Sequence, residues 1–214
     1  MADAEGKHAR RAPPQRASGP KAAGARSKSS YPRKLRIIGG RWRGRRLDVL
    51  ESEGLRPTPD RVRETLFNWL KPYIAGADCL DLFAGTGALC LEALSRGAAR
   101  VVMVEKAPHV AERLRRHVES LGAAGAEVVP ADAVNYLVRP SRLFDIVFID
   151  PPFKSNLIAE CTALVETRGW LKPGGLAYIE APSRLGEPAL PAGWELIRSK
   201  KAGQVGYHLA RKTG

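Results

Sequence analysis

The chain has 214 residues, 44% hydrophobic and 27% charged, a composition that suits a globular protein with a real core. No apolar run approaches the roughly 20 residues that a membrane span needs, and the N-terminus lacks the apolar stretch of a signal peptide. Cys79, Cys90 and Cys161 form no CxxC pair, so reduced thiols, a cytoplasmic location and no metal site are expected.

Charge points to the partner. The formal net charge is +13, and residues 1–34 hold nine Lys or Arg against two acids, a net of +7 that leaves +6 on the rest. Both parts are basic, so the body itself should favour a polyanion.

Residues 1–34 are rich in Ala, Arg, Lys, Pro, Ser and Gly, and Tyr31 is their one large aromatic. Such a segment buries too little to offset chain entropy, so a disordered basic tail is expected. It either attracts RNA through phosphate charge or simply solvates the chain. Residues 35–56 read as a basic β-hairpin arm: a strand over Leu35–Ile38, a turn at Gly39-Gly40, and a return through Trp42 to Leu47. Arg36, Arg41, Arg43, Arg45 and Arg46 around Trp42 combine phosphate contacts with a stacking surface, or else guard an exposed edge.

Residues 57–214 form the expected catalytic domain. Pro57-Thr58-Pro59-Asp60 opens a helix, capped by Thr58 or Asp60, with Val62, Leu66, Trp69 and Leu70 at helical spacing and Pro72 at its end. Strands then alternate with helices. Strands are expected at Cys79–Phe83, Arg100–Glu105, Glu127–Pro130, Asp145–Asp150 and Leu176–Glu180. Helices follow at about Gly87–Arg96, Pro108–Leu121, Ala133–Val138 and Asn156–Arg168. Trp194–Ser199 and Val205–Ala210 form a closing hairpin. This order predicts an α/β fold: a mainly parallel seven-stranded Rossmann-like sheet with helices on both faces and a C-terminal antiparallel hairpin.

Asp81-Leu82-Phe83-Ala84-Gly85-Thr86-Gly87 leaves the first core strand and enters a helix. Gly85 and Gly87 let backbone approach a ligand whose carboxylate faces helix amides. Glu105 ends the second strand at the distance expected of a ribose acceptor, and Asp132, followed by Ala133, lies after the third, near an adenine amino group. The full GxGxxG of a dinucleotide site is absent. Acids at three strand ends suit S-adenosylmethionine as cofactor.

Asp150-Pro151-Pro152-Phe153 ends the fourth strand, beside the crevice of an open sheet. An aromatic amino nitrogen is a poor nucleophile because its lone pair is delocalised into the ring. Acceptors against its two N–H groups draw it toward tetrahedral geometry and free that pair. Asp150 offers a carboxylate, Pro151 a carbonyl that Pro152 pre-aims, and Phe153 a face for a base taken out of its stack.

These residues resemble the bacterial RsmD-like methyltransferases that make N2-methylguanine in 16S ribosomal RNA. The likeness runs from Leu35 to Arg211 through Arg36-Ile37-Ile38-Gly39-Gly40, Arg43-Gly44-Arg45, Arg56-Pro57-Thr58 and Asp60 to Leu70. It continues through Asp81 to Gly85, Glu92 to Ala98, Asp150 to Phe153, Gly169-Trp170-Leu171 and Ala202 to Val205. The resemblance implies the class I methyltransferase form of this sheet, guanine N2 as target and an assembling 30S particle as substrate; no obligatory protein partner is evident. It also implies that Arg56 to Arg63, Arg61 among them, lie near the cofactor and substrate mouth. Thr86 stands where the family usually has Ser, and His117 where Asn is common. Two other readings fit the residues: a DNA adenine or cytosine amino-methyltransferase, and a catalytically silent RNA-binding assembly factor.

Overall fold

Apolar strands and amphipathic helices alternate along the chain and close, in the computed structural model, into a three-layer α/β arrangement. The structure describes residues 34–49, 58–152 and 155–214. The expected basic tail, apart from Lys34, lies outside the described residues, as do Arg56 and Phe153.

Two short strands, β1 (Lys34–Arg36) and β2 (Arg46–Asp48), pair antiparallel. Helix α1 (Asp60–Leu70) follows, then β3 (Asp78–Asp81), α2 (Ala88–Ser95), β4 (Arg100–Glu105) and α3 (Pro108–Leu121). After these come β5 (Ala126–Pro130), α4 (Ala133–Leu137), β6 (Phe144–Ile149), α5 (Leu157–Thr167), β7 (Leu171–Pro182), β8 (Trp194–Ala202) and β9 (Val205–Lys212). The seven-stranded sheet has the order β5-β4-β3-β6-β7-β9-β8. Its first five strands run parallel, and β9 is antiparallel to both β7 and β8. This is the mainly parallel sheet expected from the alternation, in the class I methyltransferase form that the resemblance implies.

Period-two alternation divides the core. Cys79, Ile146, Phe148 and Tyr178 face one helical layer with Leu66, Phe67 and Leu91. Leu80, Leu82, Val147, Ile149 and Ile179 face the other, with Val165 and Trp170. Strand order reverses between β3 and β6, so both β4 and β6 flank β3, and a crevice opens above their carboxyl ends.

The N-terminal arm departs from expectation. Gly39-Gly40 does not make a two-residue hairpin; residues 37–45 loop out through a single 3-10 turn at Gly40–Trp42. Gly40 has φ +74°, and a Cβ there would strike the Ser95 backbone, so glycine is required by close approach to α2. The arm is no separate outlier either, because Leu35, Ile37, Trp42 and Leu47 join the main core. At α1 the expected side-chain cap is missing: Pro59 precedes the helix, and Asp60 pairs with Arg63 at 2.6 Å instead.

Candidate active site

The loop after β3 is held by its own acids. Asp81 is buried; its Oδ1 accepts from the Phe83 amide at 3.0 Å and its Oδ2 from the Cys90 thiol at 2.9 Å. Burial pushes its carboxyl up to about 6, against the two donors, with Glu105 adding a smaller upward push. Glu105 bridges the loop: its Oε2 accepts from Gly85 N at 2.9 Å and its Oε1 from Ala107 N at 2.8 Å. Gly85 (φ +50°) turns the chain, and Gly87 (φ +80°) precedes α2.

S-adenosylmethionine fits this loop. A Cβ on Gly85 would meet nothing nearer than the Phe83 carbonyl at 3.7 Å, so a ligand can lie against the backbone there. Each Glu105 oxygen receives one amide and keeps a second lone-pair direction for a ribose hydroxyl. Asp132 does two jobs. Its Oδ1 caps α4 through Val134 N at 3.0 Å and Asn135 N at 3.5 Å, and its Oδ2 pairs with Lys106 at 3.1 Å. Burial pulls its carboxyl upward, but Lys106 and those amides outweigh it and hold it below the usual range. Ala133 is buried behind the cap and Phe83 is half-buried. Gly85 and Thr86 also border a shallow, open cleft with Asp48, Val49, Val110 and His117.

Asp150 follows β6 across the crevice from that loop. Pro151 is buried and Pro152 exposed; the Pro152 carbonyl is taken by Ser155 N at 2.9 Å and Ser155 Oγ at 2.7 Å. Among the described residues no donor takes the Pro151 carbonyl. Asp150 sits among acids. Burial, then Glu180, then Asp81 push its carboxyl well above the usual range, and the Thr58 hydroxyl acts the other way.

Glu180 escaped the sequence reading. It lies near the end of β7, is buried, and its Oε1 accepts from Tyr178 Oη at 2.7 Å. Its signal was the same as that of Glu105 and Asp150: an acid closing an apolar strand. Among the described residues, no group of three His, Cys, Asp or Glu is disposed to hold a metal ion.

The expected RNA surface divides. Arg36, Arg41, Arg43, Arg45, Arg46 and Arg61 are exposed, and the Arg41 guanidinium lies 4.4 Å from the centre of the Trp42 ring. Two residues must be withdrawn from that surface. Trp42 is buried under Arg41, with its amide bonded to Ser95 Oγ at 3.0 Å, so its ring packs in the core rather than on a base. Arg63 is 1% exposed, and its guanidinium donates to Asp60, to the Thr58 carbonyl at 3.2 Å and to the Arg36 carbonyl at 2.9 Å. It is a strut. Its neighbour Glu92 is the second missed residue: this buried carboxylate accepts from Ile38 N and Gly39 N, both at 2.8 Å, and from Arg96 Nε at 2.6 Å. A charged residue inside an otherwise apolar helix was the available signal.

Residues 35–211 match the model of the family described as conserved hypothetical protein 95. The ribosomal RNA small subunit methyltransferase D of Escherichia coli K12 is 50% identical over 178 residues, covering 83% of this chain and 90% of that protein. Its counterpart in Haemophilus influenzae is 46% identical, covering 82% and 92%. The solved structure of the Escherichia coli protein yhhF superposes with a TM-score of 0.80 at 47% identity, covering 84% of this chain and 98% of that one.

Proposed function

Because the chain belongs to the conserved hypothetical protein 95 family, that of the RsmD methyltransferases, we propose that it methylates the exocyclic N2 of a guanine in 16S ribosomal RNA. The chain is an S-adenosylmethionine-dependent methyltransferase of small-subunit ribosomal RNA; the choice of guanine N2 and of an assembling 30S particle is our reading. The observation that carries the amino-nitrogen chemistry is Asp150-Pro151-Pro152 at the switch point, one strand away from the Asp81 loop.

Bound adenosylmethionine supplies an electrophilic methyl group on a sulfonium. The residues of the chain do the rest by placement. Gly85 and Glu105 shape the cofactor's seat, with Asp132 at the adenine end. The Asp150 carboxylate and the Pro151 carbonyl accept the two amino N–H groups, which turns the nitrogen lone pair toward the methyl. Methyl transfer would leave the nitrogen with a proton to lose, and Asp150, already accepting one of its N–H groups, is the group positioned to receive it. Phe153 supplies the stacking face in this reading.

Recognition of the particle rests on charge. The exposed arginines of the arm, together with Arg56 and Arg61, meet phosphates, and the basic tail adds attraction without reading sequence. We place the enzyme in the cytoplasm, where its substrate is assembled; among the described residues no helix is long and apolar enough to cross a membrane.

One experiment tests the proposal. Labelled adenosylmethionine is supplied with 30S particles, naked 16S RNA or DNA, and the product nucleoside is identified by mass spectrometry. N2-methylguanosine from 30S particles is expected. A methylated DNA base would point to the DNA enzyme instead, and retained RNA binding without transfer to a silent assembly factor.

A further inference from the structure

Three carboxyls from three adjacent strands meet on one face of the sheet. In the parallel register Asp81 lies opposite Phe148, and Ile149 opposite Ile179. One residue further, Asp150, just past β6, comes beside Glu180, two residues before the end of β7. Alternation puts both on the face that carries Phe148 and Tyr178, whose rings meet edge to face at 6.3 Å. Tyr178, two residues before Glu180, donates to it at 2.7 Å. Tyr207 of β9 lies opposite Glu180 in the antiparallel register.

Thr58, ahead of α1, is 6% exposed with its carbonyl held by Arg63 Nε, and its hydroxyl pulls the carboxyls of both Asp150 and Glu180 downward. The groups facing Asp150 are therefore Asp81 from β3, Glu180 and Tyr178 from β7, and Thr58 ahead of α1. Asp81 is itself bonded to Cys90 of α2. None of the three carboxyls forms a salt bridge among the described residues.

We propose that Glu180 is a positioning residue that acts through Asp150, setting how strongly its carboxylate draws on the substrate amino group. The inference rests on the amino-nitrogen reading given above. A second carboxylate beside Asp150 makes it a stronger acceptor, because like charges at close range raise each other's hold on a proton. Glu180 pushes Asp150 up, the sign that electrostatics requires. Glu180 is itself pushed up to about 7, mainly by burial, with Tyr178 and Thr58 opposing. The bond made and the bond broken are unchanged; the pair governs where the proton shed by nitrogen goes.

The test is the pH dependence of the single-turnover rate over roughly pH 5 to 9, with 30S particles and labelled adenosylmethionine both saturating. Asp150→Asn should abolish the acid limb, which assigns it. Glu180→Gln should move that limb to lower pH by about one unit and lower the plateau roughly tenfold. Glu180→Asp keeps the charge and should keep the limb close to its wild-type position. Melting curves and adenosylhomocysteine affinity separate these effects from damage to the fold. A limb that stays fixed in folded Glu180→Gln protein overturns the inference, as does a limb that moves to higher pH. If Glu180→Gln does not fold, Glu180→Leu is measured in its place and judged by the same limb shift. Product identity is read separately, so a methyl found on something other than an exocyclic amino group counts against the proposed function and not against the coupling.

Discussion

Glu92, in the middle of α2, holds Ile38 of the arm through a 2.8 Å hydrogen bond from the Ile38 amide. The same carboxylate takes the Gly39 amide and Arg96, and lies 3.6 Å from Arg63 Nη1. Replacing it with alanine leaves two amides and two guanidiniums without their acceptor. Glu92→Ala should therefore cost about 3 to 5 kcal/mol of stability, read as a shift in the denaturant midpoint. A loss below about 1 kcal/mol would mean that the arm is anchored by its apolar residues alone.

Asp150→Ala removes the acceptor from the reacting nitrogen. Turnover should fall by roughly 10²- to 10⁴-fold while adenosylhomocysteine affinity, measured by calorimetry, stays near wild type. Wild-type-like turnover would sink the mechanism.

Asp81 gives a pH-dependent stability of known sign. Its folded value, about 6, lies above the ordinary 3.8. The contribution is thus complete below about pH 4 and is lost as pH rises through 6, a change of roughly 3 kcal/mol. Free of ligand, Asp81→Asn should melt higher than wild type at pH 7 and show no such advantage near pH 4. A constant difference between the two melting profiles would contradict the assignment.

Arg43→Ala and Arg63→Ala should behave in opposite ways. Arg43 is exposed, so its loss should weaken 30S binding, lower the slope of log affinity against log salt by about one, and leave the melt unchanged. Arg63→Ala should lower the melt first. Deleting residues 1–34 should flatten the salt slope further, with single-turnover rate at saturating substrate within about twofold of wild type.

The contrast between Arg43 and Arg63 marks what the sequence can disclose. The step from Asp81 to Gly87 was legible because an apolar strand, a glycine turn and a helix are local matters. The seven strands were legible for the same reason. Arg63 and Trp42 were not: both types are common at nucleic-acid surfaces, and only the packing of α1 and α2 against the arm buries them. Gly40 was read as a turn residue, and it does have positive φ, but the cause is the Ser95 backbone some 55 positions away. Asp132 was legible as an acid after a strand, while its capping of α4 depends on the helix that follows. Glu180 gained its place only from the β6–β7 register, which no single strand reveals.

The reach of Arg63 has a consequence for how the arm can move. One guanidinium grips the Arg36 carbonyl in the arm and the Thr58 carbonyl ahead of α1. The group is planar and buried, so neither carbonyl can shift without stranding a donor away from water. Strand and helix entrance therefore behave as one mechanical unit, and a change that loosens either end loosens the other.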